Sequence, residues 1–310
     1  MNKKVLTEKI DILRKRNNAV ILAHYYQVPE IQEIADFVGD SLDLSRKSAE
    51  TGADIIVFAG VHFMAETAKI LSPEKKVLLP DLEAGCSLAD SCPVGEFKKF
   101  KEQHPGHIVV SYVNTTAEIK ALTDITCTST NALQVINSIP KEQPIIFAPD
   151  RNLGNYLNSL TGRNMVVWDG ACHVHEEFSL EKIINLLKKH PGTKLIAHPE
   201  CTKPIQIAAD FIGSTSALLK FAVEDDGQTY IVATESGILH QMKKQNPEKT
   251  FIPAPPIDST CGCSDCEFMK RHTLQKVYES LRDEKFEIKL DEDLILKAAN
   301  PIHKMLELSI

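Results

Sequence analysis

The cysteines are the residues of this sequence whose types and spacing point most directly to chemistry. Three of the eight lie within six positions, in CGCSDCEFMK from Cys261, whereas Cys86 and Cys172 stand alone far upstream. The C-x-C-x-x-C spacing matches neither the paired C-x-x-C of a zinc ribbon nor the C-x-x-x-C-x-x-C of a radical iron–sulfur enzyme. The local pattern therefore leaves open which of these thiols binds a metal.

Composition excludes several classes of protein. The 310 residues are 43% apolar and 25% charged, and no segment approaches the roughly 20 consecutive apolar residues that span a bilayer. A net charge of -7 without a basic run gives no general attraction to nucleic acid. The basic N-terminus is not followed by the apolar region of a signal peptide. We therefore expect a soluble cytoplasmic protein, with reduced cysteines and without a nucleic-acid or membrane partner.

A threefold repeat indicates which elements position the cysteines. Segments that begin at Ala23, Ser111 and Ala197 align without a gap. One aspartate position is shared by all three copies, and so is one hydroxyl position five residues later. These shared residues are Asp36, Asp124 and Asp210, followed by Ser41, Ser129 and Thr215.

The segments between these positions predict the fold. Short β-branched runs bounded by Gly, Pro and Asp are typical of buried parallel strands, and stretches with a 3.6-residue period are typical of helices. Each copy is predicted as strand, two short helices, strand, helix, strand. The fold class is therefore α/β: three homologous three-layer α/β/α units, with short parallel sheets of about three strands, arranged around a pseudo-threefold axis.

We expect domain boundaries after the last strand of each copy. Helices are predicted near 5–17, 95–103 and 179–190 before the units, and near 267–283 and 291–306 after the last one. The predicted units cover residues 1–86, 87–172 and 173–266, with the C-terminal helices of 267–310 packing on the first.

Polar side chains recur at the carboxyl ends of the predicted strands, the edge where ligands bind in such sheets. After the first strand of each unit come His24 and Tyr26, Tyr112 and Asn114, and His198 and Glu200. Hydroxyls recur at the start of the second short helix, where free N–H groups favour an anion. These hydroxyls belong to Ser41, Ser129, Ser214 and Thr215.

Each unit ends in a cysteine just before the next helix. Cys86 and Cys172 occupy this place in the first two units. In the third, Cys266 fits best because a helical pattern begins directly after it, whereas Cys261 and Cys263 lie further back in the loop.

Three equivalent thiolates suit a metal centre with an open position. Zinc fits, and so does a 4Fe-4S cluster with one free iron; the spacing does not choose between them. An iron–sulfur enzyme, a zinc-dependent hydrolase and a non-catalytic metal or redox module all remain open. The polar residues around the open position favour an enzyme, and one of His173 and His175 is expected to face the centre.

Motifs along nearly the whole chain resemble the quinolinate synthases of bacterial NAD biosynthesis. They include LAHYYQ at 22–27, GDSLDLS at 39–45, AGCSLAD at 84–90, GACHVHE at 170–176, AHPEC at 197–201 and CSDCEFMK at 263–270. The resemblance implies a fold of three pseudo-threefold-related domains. It also implies condensation of iminoaspartate with dihydroxyacetone phosphate to quinolinate, with loss of phosphate and two waters. A 4Fe-4S cluster would supply the Lewis-acid iron, and a functional link to the iminoaspartate-producing enzyme is expected.

The resemblance also implies roles for the site residues. Cys86, Cys172 and Cys266 would hold the cluster, with Tyr112 and Asn114 over its open iron. Tyr26, His198 and Glu200 would move protons. The implied substrate-binding residues are His24, Ser41, Tyr112, Asn114, Ser129, His173, His198, Glu200, Ser214 and Thr215.

Overall fold

The computed structural model describes residues 2–258 and 265–309, so Cys261 and Cys263 lie outside the described residues. Within them the chain forms three four-stranded parallel sheets, which confirms the predicted α/β class with three similar units. We call each sheet with its flanking helices a unit.

The first unit contains four helices and four strands. In chain order they are α1 (Lys3–Arg16), β1 (Ala19–His24), α2 (Pro29–Ile34), β2 (Phe37–Gly39), α3 (Ser41–Glu50), β3 (Ile55–Ala59), α4 (His62–Leu71) and β4 (Lys76–Leu78).

The second unit repeats this order after one additional short helix. Its elements are α5 (Ser87–Asp90), α6 (Val94–Glu102), β5 (Ile108–Tyr112), α7 (Ala117–Lys120), β6 (Ile125–Cys127), α8 (Ala132–Ser138), β7 (Ile145–Ala148), α9 (Arg151–Thr161) and β8 (Val166–Val167).

The third unit has the same elements again, followed by the C-terminal helices. They are α10 (His173–Glu176), α11 (Leu180–Lys189), β9 (Lys194–Ala197), α12 (Lys203–Ala208), β10 (Phe211–Ile212), α13 (Thr215–Glu224), β11 (Thr229–Ala233), α14 (Ile238–Gln245), β12 (Thr250–Pro253), a 3₁₀ turn (Met269–Arg271), α15 (Leu274–Asp283) and α16 (Glu292–Glu307).

The three sheets share one topology. Their strand orders are β2-β1-β3-β4, β6-β5-β7-β8 and β10-β9-β11-β12. The chain therefore winds first to one side of the initial strand and then to the other, which creates a switch point beside the carboxyl end of that strand.

The repeated aspartates explain one part of the sequence similarity. Asp36 accepts a hydrogen bond from the backbone N–H of Ile21 at 2.9 Å, and its own N–H donates to the Ile21 carbonyl. Asp124 and Asp210 make the same pair of bonds to Val109 and Leu195. Each aspartate thus fastens the short second strand to the first one.

The prediction of about three strands per sheet was wrong. The missed strands are β2, β6 and β10, which have only three, three and two residues and lie at a sheet edge. A strand this short shows no alternation of apolar and polar residues, so the sequence pattern does not reveal it.

The two C-terminal helices pack on different parts of the molecule. Helix α15 packs on α1 and β3 of the first unit, whereas α16 packs against α4 of the first unit and against α7 and β6 of the second. The helix predicted over 267–283 was too long, because a turn and a short 3₁₀ segment precede Leu274. No helix in the described part of the chain has both the length and the apolar character needed to cross a membrane.

Candidate active site

Side chains from all three units line one cavity. The empty space among them, which includes the open mouth of the cavity, is about 690 Å³. All but one of the residues predicted for the site border it: His24, Tyr26, Ser41, Cys86, Tyr112, Asn114, Ser129, Cys172, His173, His198, Glu200, Thr215 and Cys266.

Ser214 is the exception. It is the N-cap of α13, and its hydroxyl accepts a hydrogen bond from the Ala217 N–H at 3.3 Å. Ser214 borders a neighbouring apolar groove instead of the cavity. Thr215, the first residue of the helix, faces the cavity in its place.

Glu200 is the centre of the polar network in the cavity. Its Oε1 accepts the Tyr112 hydroxyl at 2.6 Å, and its Oε2 lies 3.1 Å from His175 Nδ1. Burial raises the pKa of Glu200, but His175, His198 and the Tyr112 hydroxyl together lower it further than burial raises it. Glu200 is therefore a carboxylate, although only 3% of the residue is exposed.

Two buried histidines occupy equivalent positions in the first and third units. The Tyr26 N–H donates to His24 Nδ1 at 3.1 Å, and the Glu200 N–H donates to His198 Nδ1 at 3.3 Å. Burial lowers the pKa of His24 to about 4 and that of His198 to about 3. Both rings are therefore neutral and carry their proton on Nε2.

The second nitrogen of His198 contacts Ser129. Nε2 lies 3.1 Å from the Ser129 hydroxyl and donates to its oxygen. The hydroxyl proton of Ser129 then remains available to a ligand in the cavity. Ser129 itself lies in a turn, because α8 begins only at Ala132 and not at residues 128–129 as the repeat predicts.

Tyr26 belongs to a second group of hydrogen-bonded hydroxyls. Its own hydroxyl is 2.7 Å from Thr234 Oγ1 and 3.1 Å from Thr215 Oγ1. Thr234 in turn contacts His175 Nε2 at 3.0 Å. Burial, followed by the charge of Glu200, raises the pKa of Tyr26 well above its usual range, so the phenol is protonated.

The three cysteines enter the cavity from the ends of the three units. Cys86 and Cys172 are the N-cap residues of the short helices α5 and α10. Cys266 precedes a turn and the 3₁₀ segment, so the helix expected directly after it was wrong. Burial raises the pKa of Cys86 to about 12 and that of Cys266 to about 11, and it also raises the pKa of Cys172.

A second group of potential metal ligands overlaps the site. Ligand atoms of Cys172, His175 and Glu200 lie within 4.8 Å of one another. Glu200 already contacts His175 and Tyr112, so its carboxylate has partners without a metal. This group could hold a single ion, and it shares Cys172 with the three cysteines of the cavity.

Sequence reasoning missed His175 and Glu235 in the cavity wall, and Thr234, which contacts two residues of that wall. His173 and His175 both border the cavity, although only one was expected to do so. Glu235 borders it as well, and its Oε1 accepts the Cys266 N–H at 3.2 Å and pairs with Lys270 at 2.7 Å. Thr234 bridges His175 and Tyr26.

A repeated carboxylate could have indicated Glu235. The pairing of Ala59, Ala148 and Ala233 with the first strands shows that these residues are equivalent. Two residues later, the second and third units have Asp150 and Glu235. Both are buried, with at most 1% exposed.

The comparisons with known proteins agree along almost the whole chain. A family model described as NadA: Quinolinate synthetase A protein matches residues 8–307. The chain is 59% identical over 304 residues to the quinolinate synthase of Thermosynechococcus vestitus, covering 98% of this chain and 95% of the relative. It is 60% identical over 300 residues to the quinolinate synthase of Trichormus variabilis, covering 97% of this chain and 92% of the relative. For the quinolinate synthase of Chloroherpeton thalassium the identity is 57% over 304 residues, covering 98% of this chain and 94% of the relative.

Proposed function

The chain belongs to the quinolinate synthetase A protein family, and we propose that it condenses iminoaspartate with dihydroxyacetone phosphate on a 4Fe-4S cluster. The formation of quinolinate, as part of NAD biosynthesis, is the function of this family. The proposal adds the two substrates, the loss of phosphate and two waters, and the cluster. The observation that carries it is the meeting of three thiols, one from the end of each unit, in a single cavity that hydroxyls, histidines and Glu200 also border.

The residues present fit a cluster with three protein ligands. Among the described residues Cys86, Cys172 and Cys266 form no disulfide, and all three are partly buried. Buried thiols with raised pKa values are neutral until a cationic centre displaces their protons. The side-chain oxygen of Asn114 is buried and has no hydrogen-bond partner among residues 2–258 and 265–309, which is consistent with a ligand at that point.

When bound by these thiolates, the cluster supplies an open iron that acts as a Lewis acid on a substrate hydroxyl. The protein supplies the remaining groups. The hydroxyls of Ser41, Ser129 and Thr215, with the Nε2–H of His24, are donors suited to carboxylate and phosphate oxygens. In this way a protein with a net charge of -7 still binds anions.

Glu200 and the polar groups around it are placed to transfer protons during the reaction. Glu200 is ionised and accepts a 2.6 Å hydrogen bond from the Tyr112 hydroxyl. It can therefore act as a base toward the substrate. Tyr26 is protonated and held by two threonine hydroxyls, so it can act as an acid. Thr234 and His175 link Tyr26 to Glu200 and can relay a proton between them. His198 is neutral and contacts Ser129, so it can exchange a proton with a ligand through that hydroxyl.

Anaerobic metal and sulfide analysis tests the cluster. We expect the purified protein to be brown and to contain about four irons and four sulfides per chain. Cys86→Ala, Cys172→Ala and Cys266→Ala should each lose most of the iron and all activity. Cys92→Ala is the matched control, because Cys92 is buried in a different core cluster and does not border the cavity.

Three results would contradict the cluster assignment. Zinc without sulfide would favour the group Cys172, His175 and Glu200 or a zinc-dependent hydrolase. Full iron content in Cys266→Ala, or loss of iron in Cys263→Ala, would show that another cysteine is the third ligand. A reduced cluster whose spectrum ignores both substrates would favour a redox module.

A further inference from the structure

One carboxylate of the first unit hydrogen-bonds to both other units at the wall of the cavity. Asp40 is the N-cap of α3, and its Oδ1 accepts the N–H groups of Leu42 and Asp43, both at 3.0 Å. Its Oδ2 accepts the hydroxyl of Thr130 from the second unit and that of Ser216 from the third, both at 2.8 Å. Asp40 borders the cavity and is only 5% exposed.

The three units differ at these positions in a complementary way. In the repeat, Thr130 and Ser216 are equivalent to Leu42, and only the first unit has a carboxylate where the others have Thr128 and Ser214. One acceptor therefore meets two donors, and each donor comes from a different unit. The contact distinguishes the units although their folds are alike.

Each partner in this contact is the chain neighbour of a hydroxyl that borders the cavity. Asp40 precedes Ser41, whereas Thr130 follows Ser129 and Ser216 follows Thr215. Displacing Thr130 or Ser216 by the loss of its bond would therefore displace the neighbouring hydroxyl. The contact holds three groups from three units at fixed distances from one another.

The four donors also reduce the electrostatic penalty of a carboxylate beside an anion site. Two of them are backbone N–H groups at the start of a ten-residue helix, where a negative charge is stabilised. Asp43 is the other carboxylate near Ser216, at 3.2 Å, whereas the Oδ2 of Asp40 lies closer to that hydroxyl, at 2.8 Å. Asp40 thus has no unfilled position with which to compete for the ligand's donors.

We propose that Asp40 is a positioning residue for ligand binding, acting through Thr130 and Ser216 on the hydroxyls of Ser129 and Thr215. The inference rests on the proposed role of those hydroxyls in holding quinolinate and its precursors. It predicts that removing a donor changes ligand affinity and KM more than kcat, since the Glu200 network is left in place.

Quinolinate binding to the anaerobically purified holoenzyme tests this role. Thr130→Val and Ser216→Ala should each raise the quinolinate Kd about tenfold, the lower end of the effect of a hydrogen bond to a charged group. The KM values for the substrates should rise by a similar factor, whereas kcat should change less than threefold. Thr130→Ser keeps the hydroxyl and should restore the affinity. The control is Ser48→Ala, which removes a buried hydroxyl bonded only within α3.

A double-mutant cycle separates positioning through Asp40 from independent effects. Asp40→Gly removes the carboxylate while keeping a residue that N-cap positions tolerate. In that background Thr130→Val should weaken quinolinate binding no further, because its partner is already gone. Additive effects, or singles that bind within twofold of the parent, would overturn the proposal.

Two further measurements keep the outcomes distinct. Iron content should be unchanged in every variant, and if Thr130→Val alone loses iron, Ser216→Ala gives the same test from the third unit. Ser129→Ala reports on the proposed function itself. If it binds quinolinate normally, the role of the hydroxyls fails; if only Thr130→Val and Ser216→Ala bind normally, the role of Asp40 fails.

Discussion

At the scale of single residues, the chemistry of the site depends on how protons are distributed around Glu200. The Oε1 of Glu200 accepts a hydrogen bond from the Tyr112 hydroxyl and lies 3.6 Å from Nδ1 of His198. Burial, followed by the charge of Glu200, raises the pKa of Tyr112. Burial likewise holds the His198 ring neutral. Glu200 is therefore a buried base beside two neutral groups, the Tyr112 phenol and the His198 ring, that can donate or relay a proton.

Glu200→Gln tests whether that base is required. The amide keeps the size of the side chain but cannot accept a proton, so we expect quinolinate formation to fall by at least about a hundredfold. The cluster and the fold should remain, as measured by iron content and the visible spectrum. Glu176→Gln is a matched control, since Glu176 pairs with Arg151 and does not border the cavity. Near-normal turnover by a brown Glu200→Gln protein would contradict this role.

The cavity hydroxyls give a second residue-scale prediction. Ser41→Ala and Ser129→Ala each remove a donor to a charged ligand, which contributes about 1.5 to 3 kcal/mol, or roughly ten- to a hundredfold in affinity. Calorimetric titration with quinolinate measures this loss, while the cluster spectrum should not change. Ser138→Ala removes a hydroxyl bonded only within α8 and should bind normally. Unaltered affinity in both cavity variants would leave these serines as parts of turns and caps.

At the scale of elements, the repeat made the long buried strands and the residues at their ends predictable. β1, β5 and β9 end at or beside His24, Tyr112 and His198, and all three border one cavity. This prediction worked because parallel strands in a common topology place their carboxyl ends at one edge.

Other parts of the site gave no repeated signal. His175 is equivalent to Ala89 of the first unit, so comparing the copies cannot mark it as functional. The contact of Asp40 with Thr130 and Ser216 depends on how the units pack against one another. Patterns within one unit predict its strands and helices, whereas packing between units is not encoded in local periodicity.

Lys120 on α7 carries a buried charge at the boundary between the first two units. It is fully buried, donates to the Thr115 carbonyl and lies 5.4 Å from the ring centre of Phe63. Among the described residues no carboxylate forms a salt bridge with it. Burial lowers its pKa from 10.5 to about 8, and Glu66 opposes the shift.

The lowered pKa predicts how stability depends on pH. Between pH 8 and 10.5 the unfolded chain binds a proton at Lys120 that the folded chain has lost, so stability rises with pH in that window. Below pH 8 the buried charge costs about 3 kcal/mol. Lys120→Met should remove this pH dependence, measured by anaerobic urea unfolding at pH 7 and pH 10. The exposed Lys98→Met is the control, and an equal pH dependence in wild type and Lys120→Met would contradict the argument.

At the scale of the whole molecule, α16 joins the first two units close to the cavity. Thr126 donates to the Pro301 carbonyl at 3.0 Å, and Asn131 donates to the Ser309 hydroxyl at 2.6 Å. Arg46 of α3 donates to the Ser309 carbonyl. Asn131 also accepts a hydrogen bond from the Thr128 N–H, so the last turn of α16 and Ser309, just beyond it, fix the turn that contains Ser129. The C-terminal helix therefore contributes to the site without reaching the cavity.

Ile302 is one of the fully buried side chains through which α16 packs on both units. It is fully buried in a core cluster with Leu42 and Ile70 of the first unit and Ala117 of the second. Ile302→Ala leaves a void between them, which costs about 2 to 5 kcal/mol in the free energy of unfolding. Anaerobic urea unfolding should show this loss, and the quinolinate Kd should rise because the Ser129 turn loses its support. Leu296→Ala, on the same helix but 75% exposed, should change neither quantity. If Ile302→Ala loses stability while binding quinolinate normally, α16 stabilises the two units without positioning the site.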